Sequence, residues 1–281
     1  MLEPEERDYV YRRACIPEQV PGYVAAVSGA EPFLRDDYLC YLAGEMLIFV
    51  GYPLEGPVAA EKLREHLQAA KERFKATGLT LIAPQAPPGF RPLGSTGPDH
   101  YFRLDLEKPA LQGKLLYTLN RAARELRVEE GGELREEHIS CVAEFLDSRK
   151  IGKDTRMIFS RIPEYIAAVS TSRVFTARDG AGRLSAFTVA EFGSRDYAFY
   201  MFNFRSPGNQ VPGVSDLLLN ELVAKARALG KHYVNLGLGI NEGVAFFKRK
   251  WGAYPFLPYV ECQLPGSKPS LFKSLLRSLK S

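Results

Sequence analysis

The sequence predicts an α/β protein with an α+β mixed sheet, built as two tandem units that each have a mixed, mostly antiparallel sheet and flanking helices. Hydrophobic residues make up 46% of the 281 residues and charged residues 25%, which is typical of a globular protein with a large core. Strand-like and helix-like segments alternate along both halves. In the second half, three strands precede a further alternation of helices and strands, and that order indicates a mixed sheet covered by helices.

The first half shows two strands, a helix and two further strands. A turn at Ala43-Gly44-Glu45 divides 38–50 into two strands. A helix over 57–76 is favoured because Pro57 suits its first turn and Gly78 follows its end. The remaining segments are predicted as strands at 79–83 and 100–106, with a loop rich in Pro and Gly over 84–98.

The second half is predicted to carry most of the sheet. Gly131-Gly132 ends a basic amphipathic helix, and Asp179-Gly180-Ala181-Gly182 forms the turn of a hairpin. The predicted helices cover 110–127, 134–148, 216–229 and 242–250, and the predicted strands cover 173–178, 183–192, 196–204, 231–238 and 256–263. Because the first half shows a similar but weaker succession, we expect a tandem duplication with an N-terminal unit at 1–130 and a C-terminal unit at 131–265.

Charge and composition limit the ligands and the compartment. A net charge of +4 and a pI near 8.8 suit a phosphate-bearing ligand and do not by themselves indicate nucleic acid. The basic amphipathic tail at 266–281 predicts either peripheral contact with an anionic membrane or RNA, or a helix packed on its own domain. No apolar run approaches the roughly 18 residues of a membrane span, and the charged N-terminus and scattered cysteines predict a cytoplasmic protein.

The segment RSPGNQVPGVSD at 205–216 connects an apolar strand to a long helix. A glycine-bearing loop at such a junction is a general phosphate site, because backbone N–H groups and the positive end of the helix dipole converge there. Ser215 or Asp216 is expected to cap the helix, and the carboxylate of Asp216 would repel a nearby phosphate. The loop from Gln210 to Ser215 is the predicted donor site.

The spacing Gln210-x-x-Gly213-x-Ser215 resembles the Q/R-x-x-G-x-G/A signature of the GNAT acyltransferases, with serine in place of the last small residue. In that superfamily the loop binds the pyrophosphate of coenzyme A. Asn241 precedes Gly252 by eleven residues, which is similar to the GNAT pattern across a donor-contacting helix. Where many GNAT enzymes have a tyrosine that protonates the leaving thiolate, this chain has Lys248.

Other motifs resemble a neighbouring branch of the superfamily. PGVSD at 212–216, NLG at 235–237, FKRK at 247–250 and PY at 258–259 look like the Fem peptidoglycan-bridge enzymes and the soluble, DUF2156-like domain of phosphatidylglycerol lysyltransferases. Those proteins are tandem GNAT-like folds whose donor is aminoacyl-tRNA. The resemblance covers about residues 205–260 in motif and the first half in layout, so both units are expected to be GNAT-like.

The resemblance implies where the donor and the chemistry lie. The acyl group is expected in an opening between strands 196–204 and 231–238, where a backbone N–H of the first strand, at Asn203 or Phe204, polarises its carbonyl. Lys248 is the candidate cation that stabilises the leaving thiolate or ribose oxygen, with a solvated helix lysine as the alternative. The predicted donor contacts are Phe204, Gln210, Val211, Gly213, Val214, Ser215, Asn235, Asn241 and Phe247.

The general base has two candidates. Glu191 lies near the end of a strand and Tyr200 on the central strand; the alternatives are hairpin surface for Glu191, core packing for Tyr200, and a bound water as the base. Asn241 equally fits a helix cap, and Asn235 must be paired with backbone or ligand. The four histidines form no metal-like or Ser/His/Asp grouping, so no metal is expected.

Three functions are consistent with these residues. The first is a GNAT-type transfer from acetyl-CoA or another acyl-CoA to a small amine acceptor. The second is an aminoacyl-tRNA-dependent transferase acting on a lipid or cell-wall precursor, for which the face of Lys114, Arg121 and Arg124 would contact tRNA or phospholipid rather than solvent alone. The third is a GNAT fold that binds a ligand or partner without catalysis, favoured by the missing tyrosine and the lack of a clear base.

Overall fold

The computed structural model describes residues 1–93, 99–108, 113–148 and 153–265. The predicted C-terminal tail at 266–281 lies outside the described residues. The helices are α1 (Pro4–Arg13), α2 (Pro21–Ser28), α3 (Ala60–Phe74), α4 (Gly113–Glu125), α5 (Glu136–Asp147), α6 (Lys153–Ser160), α7 (Ile162–Ala168), α8 (Val214–Ala228) and α9 (Glu242–Lys250). The strands are β1 (Glu31–Arg35), β2 (Tyr38–Ala43), β3 (Met46–Val50), β4 (Gly78–Ala83), β5 (Arg91–Pro92), β6 (Asp99–Asp105), β7 (Leu126–Gly131), β8 (Ser172–Asp179), β9 (Leu184–Glu191), β10 (Tyr197–Arg205), β11 (Tyr233–Leu238) and β12 (Tyr254–Gln263).

The strands form one mixed sheet in the order β1-β2-β3-β4-β12-β6-β11-β10-β9-β8-β7, with β5 paired to β12 beside this path. The pairs β3–β4 and β10–β11 are parallel, and the other pairs are antiparallel. Each parallel pair is joined by a crossover helix, whereas β8, β9 and β10 follow one another through short turns. The predicted mixed, mostly antiparallel sheet with flanking helices is confirmed. Among the described residues, no helix combines the length and the apolar character needed to cross a bilayer.

Helices cover both faces of the sheet. Neighbouring residues on a strand point to opposite faces, so Ala198 and Phe199 belong to different apolar cores. The face of Phe199 carries α1, α2, α5, α6 and α7, and we call it the N-terminal face. The face of Ala198 carries α4 and α8, and we call it the α8 face. Helix α3 packs with β2, β3 and β4 in a third cluster.

The two halves of the chain are joined within the sheet. Strand β6, from the first half, is hydrogen-bonded to β11 on one edge and to β12 on the other. Strand β12 continues past β6 and pairs with β4, where Cys262 lies opposite Leu81. Strands from residues 1–130 and from residues 131–265 therefore alternate within one sheet. The division into units at 1–130 and 131–265 stays a prediction.

The chain after α4 differs from its prediction. The helix predicted over 110–127 ends at Glu125, and Leu126–Gly131 forms the edge strand β7. Strand β7 pairs antiparallel with β8, from Leu126 opposite Asp179 to Gly131 opposite Val174. Pairing with an existing strand outweighs the helix preference of the Arg and Glu residues in this segment.

Candidate active site

The parallel strands β10 and β11 separate partway along their length. They pair at Tyr197 with Tyr233, Ala198 with Val234 and Phe199 with Asn235, and the pairing stops there. Beyond that point β10 pairs with β9 alone, through a bulge between Tyr200 and Phe202. The two strands therefore separate where the opening is predicted. That the acyl group lies in it stays a prediction.

Helix α8 begins at the separated end of β10. Its N-cap is Gly213, which has a left-handed φ of 82°, and no side chain caps the helix. The capping role expected for Ser215 or Asp216 is wrong, because both lie inside the first turn with other partners. The hydroxyl of Ser215 accepts a hydrogen bond of 3.2 Å from Nδ2 of Asn203, which joins the loop to β10.

The left-handed glycine also lies against helix α4. A Cβ placed on Gly213 would come within 2.8 Å of Cγ2 and 3.2 Å of the carbonyl oxygen of Thr118. A side chain at this position would therefore clash with α4 as well as strain the backbone. The loop is positioned by α4 on one side and by β10 on the other.

The carboxylate of Asp216 is neutralised by two neighbours. Nζ of Lys250 lies 2.8 Å from Oδ2, and Nε1 of Trp251 donates to Oδ1 at 2.9 Å. Asp216 is buried, so this pairing compensates a charge that would otherwise be costly. The expected repulsion between Asp216 and an anion at the helix N-terminus is thereby reduced.

Lys248 is buried, so the solvated-lysine alternative is wrong. Only 3% of its surface is exposed, and Nζ donates to the carbonyl oxygen of Leu238, at the end of β11, over 2.5 Å. Burial lowers the pKa of Lys248 to about 7, partly opposed by the charge of Asp99. This amine is therefore poised to gain or lose a proton near neutral pH.

The two asparagines have partners inside the protein. Nδ2 of Asn235 donates to the carbonyl of Cys15 at 2.7 Å, and Oδ1 accepts from the amide of Gly237 at 2.7 Å. Oδ1 of Asn241 accepts from the amide of Val244 at 2.9 Å and caps α9. A donor contact by Asn235 would have to replace one of its bonds, and the donor contacts of both residues stay predictions.

Glu191 and Tyr200 lie on opposite faces of the sheet. Glu191 is fully buried, so hairpin surface is wrong for it; its carboxylate accepts from Thr171, from Tyr165 at 3.1 Å and from the amide of Gly193 at 2.8 Å. Burial raises the pKa of Glu191. Tyr200 packs on the α8 face, and burial also raises the pKa of its phenol, which makes it a poor base at neutral pH.

The other predicted donor residues surround the loop in different ways. The side chain of Phe204 is buried on the N-terminal face, stacked on Phe187. Val211, Val214 and Phe247 pack on the α8 face, while Gln210 is exposed. Whether they contact a donor stays a prediction.

The sequence patterns missed two acids, one partly buried and one fully buried. Asp99, at the start of β6, accepts hydrogen bonds from the amides of Gly239 at 3.0 Å and Ile240 at 2.9 Å and so fixes the turn from β11 to α9. Glu18, in the 3-10 turn Pro17–Gln19, is fully buried on the N-terminal face. Neither lies in a motif, so only the three-dimensional arrangement reveals them.

A cavity of about 410 Å³ lies away from the donor loop, between β7, β8 and the start of α5. Two of its acids are paired: Glu130 forms ion pairs with Arg173 at 3.4 Å and Lys225 at 3.0 Å, and Glu129 pairs with Arg178 at 3.5 Å. Over the described ranges, no group of three or more His, Cys, Asp or Glu side chains is arranged to hold a metal.

Comparisons with known proteins give structural matches only. No protein-family model matches the sequence, and no curated protein does. The C-terminal domain (DUF2156) of a putative lysylphosphatidylglycerol synthetase from Agrobacterium fabrum is similar with a TM-score of 0.58 at 16% identity, covering 97% of this chain and 93% of that chain. L-PGS from Bacillus licheniformis is similar with a TM-score of 0.57 at 15% identity, covering 98% and 97%. A GCN5-related N-acetyltransferase from Kribbella flavida is similar with a TM-score of 0.54 at 14% identity, covering 89% and 93%.

At these identities the likeness concerns the fold. The matches extend over most of the chain and agree with the predicted resemblance, which rested on the loop after β10 and on the layout of both halves. The separation of β10 from β11 beside the N-terminus of α8 is the arrangement that the donor-site prediction requires. The chain is therefore a GNAT-fold protein, with lysylphosphatidylglycerol synthetase domains and a GCN5-related N-acetyltransferase among its structural neighbours.

Proposed function

We propose that the protein is an acyltransferase that moves an acyl group from a CoA thioester to an amine. The observation that supports this most is the separation of β10 and β11 after Phe199 and Asn235, with the uncapped N-terminus of α8 at the open end. A phosphate-bearing carrier would bind at the first-turn amides of α8. Its acyl group would enter the opening, where the edge of β10 that faces β11 is unpaired and can offer backbone N–H groups to the carbonyl oxygen.

In this proposal Lys248 is the proton donor for the leaving group. Its Nζ lies at the end of β11, bonded to the carbonyl of Leu238. With a pKa lowered to about 7 by burial, it can give up a proton to a thiolate and regain one near neutral pH. The amine thus takes the role that the resemblance assigns to a tyrosine in many GNAT enzymes.

A second candidate is transfer from aminoacyl-tRNA, and the exposed face of α4 favours it. Lys114, Tyr117, Arg121 and Arg124 recur three or four residues apart and are all exposed. Thr118, in the same stretch, touches the donor loop at Gly213. Basic side chains with an aromatic ring between them suit a phosphate backbone with a stacked base.

A binding experiment separates these candidates. Titration with CoA, acetyl-CoA and longer acyl-CoAs should raise the melting temperature under the first proposal, equivalent to about 2.7 kcal/mol at a hundredfold excess over Kd. Failure of every acyl-CoA, together with salt-sensitive binding of aminoacyl-tRNA, would favour the second. Tyr117→Ala and Arg121→Ala should then weaken tRNA binding, while Lys62→Ala on the exposed face of α3 serves as the matched control. If neither acyl-CoA nor aminoacyl-tRNA binds, the remaining function is that of a non-catalytic binding protein.

A further inference from the structure

Glu18 is a buried carboxylate with one unused oxygen. Its residue has no exposed surface. Oη of Tyr101 donates to Oε2 at 2.8 Å, whereas Oε1 has no hydrogen-bond partner. Among the described residues, no Lys, Arg or His forms an ion pair with it. A carboxylate in this setting requires either a proton or a cation from outside the chain.

The surroundings of Glu18 are aromatic. Its charge is felt by the phenols of Tyr23, Tyr41, Tyr52, Tyr101 and Tyr259 and by the thiol of Cys15. These titratable groups face Glu18 from α2, β2, β6, β12 and the neighbouring loops. Aromatic rings around a single carboxylate favour a positively charged ligand, because ring faces and carboxylate both attract it.

Glu18 also lies beside the opening between β10 and β11. Its partner Tyr101 is paired with Leu238, at the end of β11. On the other side, the ring of Tyr23 packs 5.9 Å from that of Phe202, which belongs to the separated part of β10. These contacts place Glu18 on the N-terminal face, among residues that flank the separated strands. Helix α8 and its loop lie on the α8 face, so a donor bound there would leave the Glu18 side for a second substrate.

We propose that Glu18 binds the ammonium group of the acceptor at this opening and takes a proton from it. This deepens the proposed function and depends on it for the transfer step alone. The acceptor class is a primary amine that enters as its cation. Within a water-poor site, proton transfer from ammonium to carboxylate replaces two charges by two neutral groups, which burial favours. The neutral amine is then the nucleophile.

The protons balance over the reaction. Of the three protons on the acceptor nitrogen, one passes to Glu18 before the nitrogen bonds to the acyl carbon. A second leaves that nitrogen as the bond from the acyl carbon to sulfur breaks, and Lys248 relays it to the leaving thiolate by giving up one proton and gaining another. The third remains in the amide product. No oxidant or reductant takes part.

Two observations favour Glu18 over Glu191 for this role. Both oxygens of Glu191 already accept hydrogen bonds from Thr171, Tyr165 and Gly193, whereas Oε1 of Glu18 is unused. Burial raises the pKa of Glu18 to about 7, with the hydrogen bond from Tyr101 opposing the shift. A base of this strength is half ionised near neutral pH and can both take and release a proton.

Amine binding can be measured without any assay of transfer. In protein labelled with ¹³C at the Glu carboxyl carbons, the Glu18 signal is the one that Glu18→Gln removes. Tyr101→Phe, which keeps Glu18 but deletes the bond to Oε2, should shift its titration to higher pH, so the signal is identified even if the first variant folds poorly. Propylamine at pH 8 should move this signal, and propanol should not. The signal of the exposed Glu164 is the control.

The second test measures the rate of acetyl transfer from acetyl-CoA to an amine. Glu18→Gln should slow transfer to propylamine by about a hundredfold or more, and the loss of rate below neutral pH should disappear. Transfer to hydroxylamine, which is largely unprotonated at neutral pH, should fall far less. Equal losses with both amines, or a Glu18 signal indifferent to propylamine, would overturn the inference. If propylamine moves the signal and no acyl-CoA supports transfer, the amine site stands and the proposed function fails.

Discussion

Nζ of Lys250 lies 2.6 Å from Oδ1 of Asp216, so the acid in the first turn of α8 is paired with the last residue of α9. The pair links the two helices that flank the open end of β11. It also leaves the N-terminus of α8 with its positive dipole largely uncompensated by protein. The donor loop can therefore attract an anion although a carboxylate stands three residues from Gly213.

Breaking this pair should harm both stability and donor binding. Lys250→Met leaves a buried, uncompensated carboxylate, which should lower the free energy of unfolding by about 1–3 kcal/mol and weaken acyl-CoA binding through repulsion. The double change Lys250→Met with Asp216→Asn should recover most of the binding. Chemical denaturation and CoA titration measure the two effects. A double variant no better than Lys250→Met alone would contradict the electrostatic explanation.

Alanine at Gly213 should be strongly unfavourable. The left-handed φ alone costs about 1 kcal/mol for a residue with a Cβ, and the clash with Thr118 adds to it. Adding Thr118→Ser, which removes Cγ2, should recover part of the loss and leave the backbone cost. The control is Gly180→Ala, where a Cβ would meet no atom within 4 Å. Equal unfolding midpoints for the Gly213 and Gly180 variants would show that the loop is not held as described.

Lys248 is expected to carry both a rate and a pH signature. Lys248→Met keeps the length of the side chain and removes the amine, so turnover should fall at least about tenfold while acyl-CoA affinity changes little. Because the protonated amine is the active form and its pKa is about 7, the wild-type rate should decline above neutral pH and the variant should lose that decline. Unchanged turnover would remove Lys248 from the mechanism.

The same residue should affect stability at alkaline pH. Lys248 titrates near pH 7 when folded and near 10.4 when unfolded, so the unfolded chain binds more protons between these values. The free energy of unfolding should therefore rise with pH across this window, by at most about 1.4 kcal/mol per pH unit. Lys248→Met should flatten the rise in urea titrations. A parallel rise in wild type and variant would assign it to other groups.

Glu18 should make the free energy of unfolding fall, rather than rise, as the pH increases from acidic to neutral values. Its pKa is about 7 in the folded protein and about 4.3 in the unfolded chain, so the folded protein binds more protons in between. Its contribution to stability is fully present below about pH 4.3 and is lost as pH rises through about 7. Glu18→Gln should remove this loss. The difference between variant and wild type, measured by urea titration from pH 4.5 to 7.5, isolates it from other carboxylates.

Local sequence signals predicted the part of the fold nearest the donor loop. The meander of β8, β9 and β10 was predictable because tight turns at Asp179–Gly182 and Gly193-Ser194 separate strands of apolar residues. The loop and α8 followed from glycine beside a long amphipathic segment. Strand β7 was not predictable, since its residues LRVEEG favour a helix and only pairing with β8 makes them extended.

Long-range contacts set the remainder of the candidate site. Lys248 stands in the charged run KRK, and nothing local distinguishes it from Lys250, yet one amine is buried under β11 and the other pairs with Asp216. Glu18 is placed near the separated strands by its hydrogen bond with Tyr101 of β6, which lies 83 residues away in the sequence. Residue types in the sequence identified candidate site residues, and only the packing of the folded chain shows which of them lie at the site.

The insertion of β6 between β11 and β12 has a consequence for how the molecule can be divided. Each half without the other would lack a strand from the middle of its part of the sheet. Two strand edges that are paired in the whole protein would then be unpaired. The halves should therefore be insoluble when produced apart and reconstitute a single particle when produced together. Because each half depends on the other, the chain is suited to a two-fragment complementation assay. Association of the fragments would be detected as recovery of the folded protein.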